Sequence, residues 1–304
     1  MSWQAQLALH YQRDDDGRTI SFDRHSGPLR VLQRLYPEGP GICHHVIVHP
    51  PGGVVGGDRL EVQARLDAGT HALITTPGAT RFYRSDGASA VQDVRLMLAE
   101  GARAEWLPME AIAYSGCSAE NRLDLQLAPG AEALGWDVLA LGLPAAGLGF
   151  ESGRFLQQLE LPGVWLERGW IEAEDRALLD GPLGLAGRRV LATMWFAAGS
   201  AIDGARRDAL LDAARALAER AREAAAGPDP ASVPVPAAEG GSATSAAPAR
   251  AVIAGATSAH APVVVLRALA DRVEPLMALL VQVRAAWRRV AWGLAENPPR
   301  IWRT

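Results

Sequence analysis

The fifteen residues from His44 to Asp58 hold three histidines (His44, His45, His49), two prolines (Pro50, Pro51), four glycines (Gly52, Gly53, Gly56, Gly57) and one aspartate. Two chemistries use such residues: metal ligation by imidazole and carboxylate, and phosphate binding by a glycine-rich loop. On a strand, His44 and His45 point to opposite faces. His45 and His49 share a face but lie ~13 Å apart at about 3.3 Å per residue. One ion needs its nitrogens at about 2.1 Å, so a straight strand cannot bring both to it. The tight patterns H-E-x-x-H, C-x-x-C and H-x-H do not occur. A weak or transient ligand role survives this geometry. For phosphate, the glycine spacing is not G-x-G-x-x-G, and Arg59 to Leu66 alternates as a strand where a helix should begin. What remains is a bend with two tight turns that need positive φ, capped by Asp58.

A second cluster, Thr75-Thr76-Pro77-Gly78-Ala79-Thr80-Arg81-Phe82-Tyr83-Arg84-Ser85, crowds hydroxyls, arginines and a tyrosine into a loop. Ser85 lies on no nucleophile elbow. In Glu167-Arg168-Gly169-Trp170 the adjacent charges point to opposite faces of a strand. Trp165 and Ile171 make the odd face apolar, so Glu167 is the candidate buried charge in need of a partner.

The elements that carry these residues read as follows. Trp3, Ala5, Leu7, Leu9 and Tyr11 alternate with polar or small residues as a strand, closed by a turn at Asp14-Asp15-Asp16-Gly17. From about residue 60 a unit repeats: an alternating strand, a three-residue connection with glycine last, and a second strand. Its connections are Asp67-Ala68-Gly69, Ala99-Glu100-Gly101 and Ala128-Pro129-Gly130, with a weaker fourth copy around Pro162-Gly163. The anchors Leu66, Leu98, Leu127 and Leu161 are 32, 29 and 34 residues apart. A period near 30 favours stacked β units over a plain antiparallel meander. Helices follow at 203–225 and about 271–294, with a strand at 263–270 between them and an extended tail at 298–304. The stretch 227–250 is Pro, Ala, Gly and Ser with almost no large apolar side chain, a flexible insert. The expected class is mainly β, a β-helix-like layered sheet of strand-turn-strand units with two α-helices in the C-terminal third. A β-rich scaffold over 1–200 and a helix-strand-helix part over 201–304 would form one domain.

Composition narrows the function. Among 304 residues, 49% are hydrophobic, enough for a sizeable core, and the net charge of -4 points to neither nucleic acid nor an anionic membrane. No lysine is present. That excludes a P-loop, Schiff-base chemistry and the kinase strand lysine. Cys43 and Cys117 make no disulfide framework, which favours a reducing compartment. Neither a signal peptide nor a spanning helix is expected.

Taken in order, Tyr36-Pro37-Glu38, His49 to Asp58, Thr76-Pro77-Gly78-Ala79, Phe82-Tyr83-Arg84-Ser85, Glu105-Trp106-Leu107-Pro108, Trp136 to Gly142 and Pro299-Arg300-Ile301-Trp302 resemble the UreD (UreH) family of urease accessory proteins over nearly the whole chain. The insert at 227–250 departs from that pattern. The resemblance implies a non-enzymatic, cytoplasmic maturation factor, β-helical with two C-terminal helices. It implies a complex with UreF, the GTPase UreG and apo-urease, with a 2:2 arrangement with UreF among the forms. Its helices would present partner-binding surface. Ni2+ would be transient cargo along an internal polar passage, with no tightly bound cofactor. Asp58 and Glu167 fall where the family carries acidic residues linked to the nickel path; His49, a further candidate transient ligand, and Tyr83, Arg84 and Ser85 would line or brace the same region. Scattered single ligands would release the ion, where a closed four-ligand site would trap it. A β-solenoid metallohydrolase and a general binding module are the competing classes.

Overall fold

The structure is a computed structural model that describes residues 2–226 and 250–303. Two sheets face each other. The first, of seven strands, contains β1 (Gln4–Arg13), β2 (Thr19–Ser26), β5 (Arg59–Leu66), β8 (Ala90–Leu98), β11 (Cys117–Leu127), β13 (Gly153–Leu161) and β14 (Trp165–Glu172). The second, of ten, contains β3 (Arg30–Val31), β4 (Ile42–Val48), β6 (His71–Thr75), β7 (Thr80–Phe82), β9 (Arg103–Leu107), β10 (Ala111–Ala113), β12 (Glu132–Leu141), β15 (Val190–Ala198), β16 (Ile253–His260) and β17 (Val263–Ala270). The chain winds from one sheet to the other and back. Strands β5, β8, β11 and β13 stack in parallel, as do β4, β6, β9 and β12. The result is a β-solenoid of about four coils.

The expected repeat units are these coils, and their shared glycine has a backbone reason. Gly69, Gly101 and Gly130 adopt φ of 69°, 68° and 79° at one stacked corner. There the amide three residues past the turn start closes back on it, as in Ala102 N to Ala99 O and Ala131 N to Ala128 O. The fourth copy is different. β14 runs antiparallel to β13 in the same sheet, so Pro162-Gly163 is a hairpin that closes the stack and not a coil corner.

The two sheets differ in pattern because they differ in covering. The first sheet has one wet face, and β5 alternates intermediate or exposed with buried along its length. The second sheet is covered on both faces, so β4 and β12 read as nearly continuous buried runs. Its inner face joins the first sheet around Leu60, Leu96, Leu125, Phe155 and Trp195. Its outer face carries α2 (Gly204–Ala226) and α3 (Val273–Trp292), packed through Leu210, Leu217, Leu276, Leu280 and Trp287 onto Trp136, Met194 and Leu266. A short helix, α1 (Arg176–Asp180), precedes β15.

Both long helices lie within about two residues of their expected bounds. The Asp203 carboxylate accepts from Arg206 N at the start of α2, and Gly293 at φ 65° closes α3. Val290, which shares the 3.6-residue apolar spacing of Leu276, Leu280, Val283 and Trp287 on α3, is 36% exposed where they are buried. The tail is not fully extended: Arg300–Arg303 coil into a 3-10 turn. The expected insert, apart from Arg250, lies outside the described residues.

A buried ionic network holds α3 on the solenoid. Glu105, on the outer face of β9 and fully buried, accepts from Arg284 Nε at 2.7 Å and lies 3.2 Å from both Arg288 Nε and His71 Nε2. Arg288 Nη2 donates to Glu38 at 2.6 Å, and Glu38 also meets His44 Nε2 at 2.9 Å. Burial works against the Glu105 carboxylate, but Arg284, His71 and Arg288 outweigh it and hold its pKa down at about 2.

Candidate functional site

The bend after β4 is shaped by two different uses of glycine. Gly52 and Gly57 adopt φ of 78° and 88°, as a tight turn requires. Gly53 and Gly56 are needed for space: a Cβ would meet Tyr83 Cε2 at 2.1 Å and Ala88 O at 2.6 Å respectively. Both positive-φ turns expected from the sequence are present, one at Gly52 and one at Gly57, and the other two glycines serve close packing. Pro50 and Pro51 carry the chain from β4 into this bend.

Asp58 is only 1% exposed, and its carboxylate is committed to the backbone. One oxygen accepts from Trp3 N at 2.6 Å and the other from Val55 N at 3.0 Å. It ties the N-terminal strand to the bend. Its charge is felt by His49, where burial still dominates and lowers the imidazole pKa. His49 is neutral at pH 7, and its buried Nε2 has no hydrogen-bond partner. That side chain lines a cavity of about 190 Å3 between the two sheets, with Leu60, Thr76, Gln92, Trp106 and Pro108 among its walls.

The second cluster braces the bend from the next coil. Tyr83 N donates to Val54 O, and the Tyr83 ring lies 4.9 Å from Tyr114. Ser85 N donates to Gly116 O. Arg84 instead faces solvent, 3.5 Å from Asp86 with its side chain 78% exposed. The histidines that open the motif are absorbed elsewhere: His45 Nδ1 pairs with Tyr11 Oη at 2.7 Å on the inner side, and His44 with Glu38 on the outer. Burial drops the His45 pKa to about 4, which keeps the ring neutral.

Glu167 faces inward from β14, as the apolar Trp165 and Ile171 required, but its side chain is 35% exposed and not buried. Its partner is Arg267 on β17, whose Nη2 donates at 2.5 Å, with Thr193 Oγ1 donating at 3.1 Å from β15. Asp58 and Glu167 are not brought together. The register Val62, Val94, Leu123, Leu159, Glu167 crosses four strand spacings, about 19 Å.

Between these two ends runs a set of polar groups that periodicity alone did not single out. Gln92, which lines the His49 cavity, donates to Asn121 Oδ1 at 3.0 Å; Asn121 Nδ2 donates to Asp137 Oδ2 at 2.8 Å. Gln92, Asn121 and Gln157 are register partners on β8, β11 and β13. On the facing sheet Asp137, Thr193 and Arg267 are register partners on β12, β15 and β17. An apolar core thus contains a polar seam from the His49 cavity to Glu167. Burial pushes the Asp137 pKa up to about 6, with the Glu167 charge adding to it against the pull of Gln157 and Asn121. One signal for the seam was present: Gln92, Asn121 and Gln157 each break the apolar side of an alternating strand at the same register.

Among the described residues no group of three or more His, Cys, Asp or Glu is placed to hold one metal ion. Cys43 and Cys117 are both free and buried. No helix among them is long and apolar enough to cross a membrane.

Fold and seam define a β-solenoid with a line of polar side chains in its interior and a helical layer clamped to one face. The family model described as "UreD urease accessory protein" matches residues 4–303. The chain is 57% identical over 305 residues to the urease accessory protein UreD of Leptothrix cholodnii, covering all of both chains. It is 53% identical over 302 residues to that of Paracidovorax citrulli, covering 99% of each. The chain belongs to the UreD family of urease accessory proteins.

Proposed function

We propose that this chain is a non-catalytic urease maturation scaffold: in the cytoplasm it joins UreF and the GTPase UreG to apo-urease and conducts Ni2+ toward the urease active site. The observation that carries this reading is the seam of Gln92, Asn121, Asp137 and Gln157, which leads from the His49 cavity to Glu167 inside an otherwise apolar core. Single imidazoles, carboxamides and carboxylates spaced along a route offer a divalent ion successive weak donors, and weak donors let it leave. Asp58 acts on this route by fixing the bend that presents His49, through Trp3 N and Val55 N. Glu167 stands at the far end, balanced by Arg267. Ni2+ is cargo here and no resident cofactor.

The test is a defined reconstitution of apo-urease, UreF, UreG, GTP, Ni2+ and bicarbonate, with and without the purified chain. The expected result is co-purification of the chain with UreF and apo-urease, and nickel-dependent urease activity only when the chain is present. Equal activity without it, or hydrolysis of a substrate by the chain with stoichiometric tightly held metal, would count against the scaffold and for a metallohydrolase.

A further inference from the structure

The motif Pro299-Arg300-Ile301-Trp302 has no part in the seam, yet its last residue bonds to Thr75, the neighbour of the cavity-wall residue Thr76. Trp302 Nε1 donates to Thr75 Oγ1 at 2.8 Å, and the Thr75 hydroxyl donates on to Leu107 O at 2.6 Å. The Trp302 ring lies 5.4 Å from that of Trp136, whose Nε1 donates to Pro108 O at 2.7 Å. Thr75 and Leu107 end β6 and β9, at the corners where the coils turn. The residues that follow, Thr76, Pro77 and Pro108, are walls of the His49 cavity. A single side chain from the C-terminus therefore fixes two adjacent coil corners.

The other end of the same segment is held by the ionic network. Arg288 Nη1 donates to Ala295 O at 2.6 Å, and Arg284 Nη1 to Asn297 O at 3.4 Å. These are the arginines that meet Glu105 and Glu38. Between the two anchors Pro299 is buried, but a cleft of about 480 Å3 opens between the segment Asn297 to Arg300 and the loop and strand residues Leu35, Tyr36, Pro37 and Val46. Unfilled space beneath part of a span forfeits some of the dispersion contacts that a filled one would make. Such a segment opens at lower free energy than the strands beneath it.

We infer that residues 294–303 form a strap that sets the wall of the His49 cavity, with Trp302 as its positioning residue, and that movement of α3 or of the strap alters access to the polar seam. The inference rests on the proposed route for its consequence, but its structural half stands apart from nickel. The helix that carries the arginine anchors is continuous with the strap through Gly293, so a partner docked against α3 would act on the cavity through one connected element. Trp302 makes an N–H bond to Thr75 and places its ring against Trp136 and under the Arg284 guanidinium; Trp302→Phe removes the first and keeps most of the ring contacts.

The experiment compares the full chain with Trp302→Phe and with a chain ending at Glu296. Hydrogen exchange is followed peptide by peptide, without nickel, and nickel-dependent urease activation is measured alongside. The expected result is exchange faster by about tenfold or more at 74–80 and 106–111 in the truncated chain, a smaller rise in Trp302→Phe, and no change in β5, β8 and β11. Activation should change in the same order. Unchanged exchange at both corners in both variants overturns the strap, whatever activation does. Faster exchange with full activation in both variants overturns the link between strap and seam. Loss of activation with unchanged exchange would give the tail some role other than setting the cavity wall, and so also overturns the inference. Uniformly faster exchange across all strands of both variants would make the tail a general stabiliser and would also overturn the inference.

Discussion

Asp58 and Asp137 show how differently two buried carboxylates can be set. Asp58 accepts two backbone N–H groups, so its removal leaves both donors unmatched in a buried place. Asp58→Ala should cost about 1–3 kcal/mol in urea unfolding, and Asp58→Asn less, since the amide oxygen keeps one of the bonds. Both should lower urease activation while leaving partner complexes intact. Asp137 behaves in the opposite sense. Its pKa is raised to about 6 by burial and by Glu167, above the unfolded value of 3.8. The folded state therefore binds the proton more tightly, and stability falls as pH rises from about 4 to about 6. Asp137→Asn should remove that penalty, a gain of up to about 3 kcal/mol at pH 7 that vanishes near pH 4. Denaturation of both proteins at the two pH values checks this; a gain of equal size at pH 4 would assign it to packing. At this scale the sequence was legible where spacing alone decides the answer. Strand geometry separated His44 from His45, and the structure turns them to different partners. It could not say that Asp58 would be spent on Trp3, a residue 55 positions away, because that contact comes from the parallel pairing of β1 with β5.

The alternating strands and the coil glycines were the most readable elements, because a one-sided sheet and an αL corner each leave a periodic trace. β16 left little: Ile253-Ala254-Gly255-Ala256-Thr257-Ser258-Ala259-His260 is an edge strand of small residues with no strong alternation. β15 was hidden for the opposite reason, since burial on both faces erases the period. The clamp on α3 was unreadable, because its charges lie on β9, β6, the Glu38 loop and α3 itself, in segments up to 250 residues apart. Removing one charge from such a group leaves others buried without counter-ions. Glu105→Gln should cost about 3–5 kcal/mol and speed hydrogen exchange in α3 before the solenoid strands. Acid should act on the same contact. The Glu105 pKa is depressed to about 2, so its contribution is complete above the ordinary carboxylate value of 4.5 and is lost as pH falls toward 2. The segment 228–249 should carry no such load, and its deletion should leave UreF capture in a pull-down unchanged; lost capture would give it a docking role.

For the whole molecule, the solenoid lets a line of polar groups run through a rigid, closed core. Parallel coils place equivalent positions above one another at about 4.8 Å. A polar residue repeated in register therefore becomes a line of donors and acceptors through a closed core, as Gln92, Asn121 and Gln157 do. The repeat and the family resemblance were visible in the sequence, but the seam needed the register that only the fold supplies. The most direct measurement replaces Asn121 and Gln157 together by leucine, which keeps similar volume and makes the line apolar. Complex formation with UreF, UreG and apo-urease is then measured beside nickel incorporation in the defined reconstitution. A conducting seam requires normal assembly with nickel incorporation reduced about tenfold or more; normal assembly with full incorporation would contradict it.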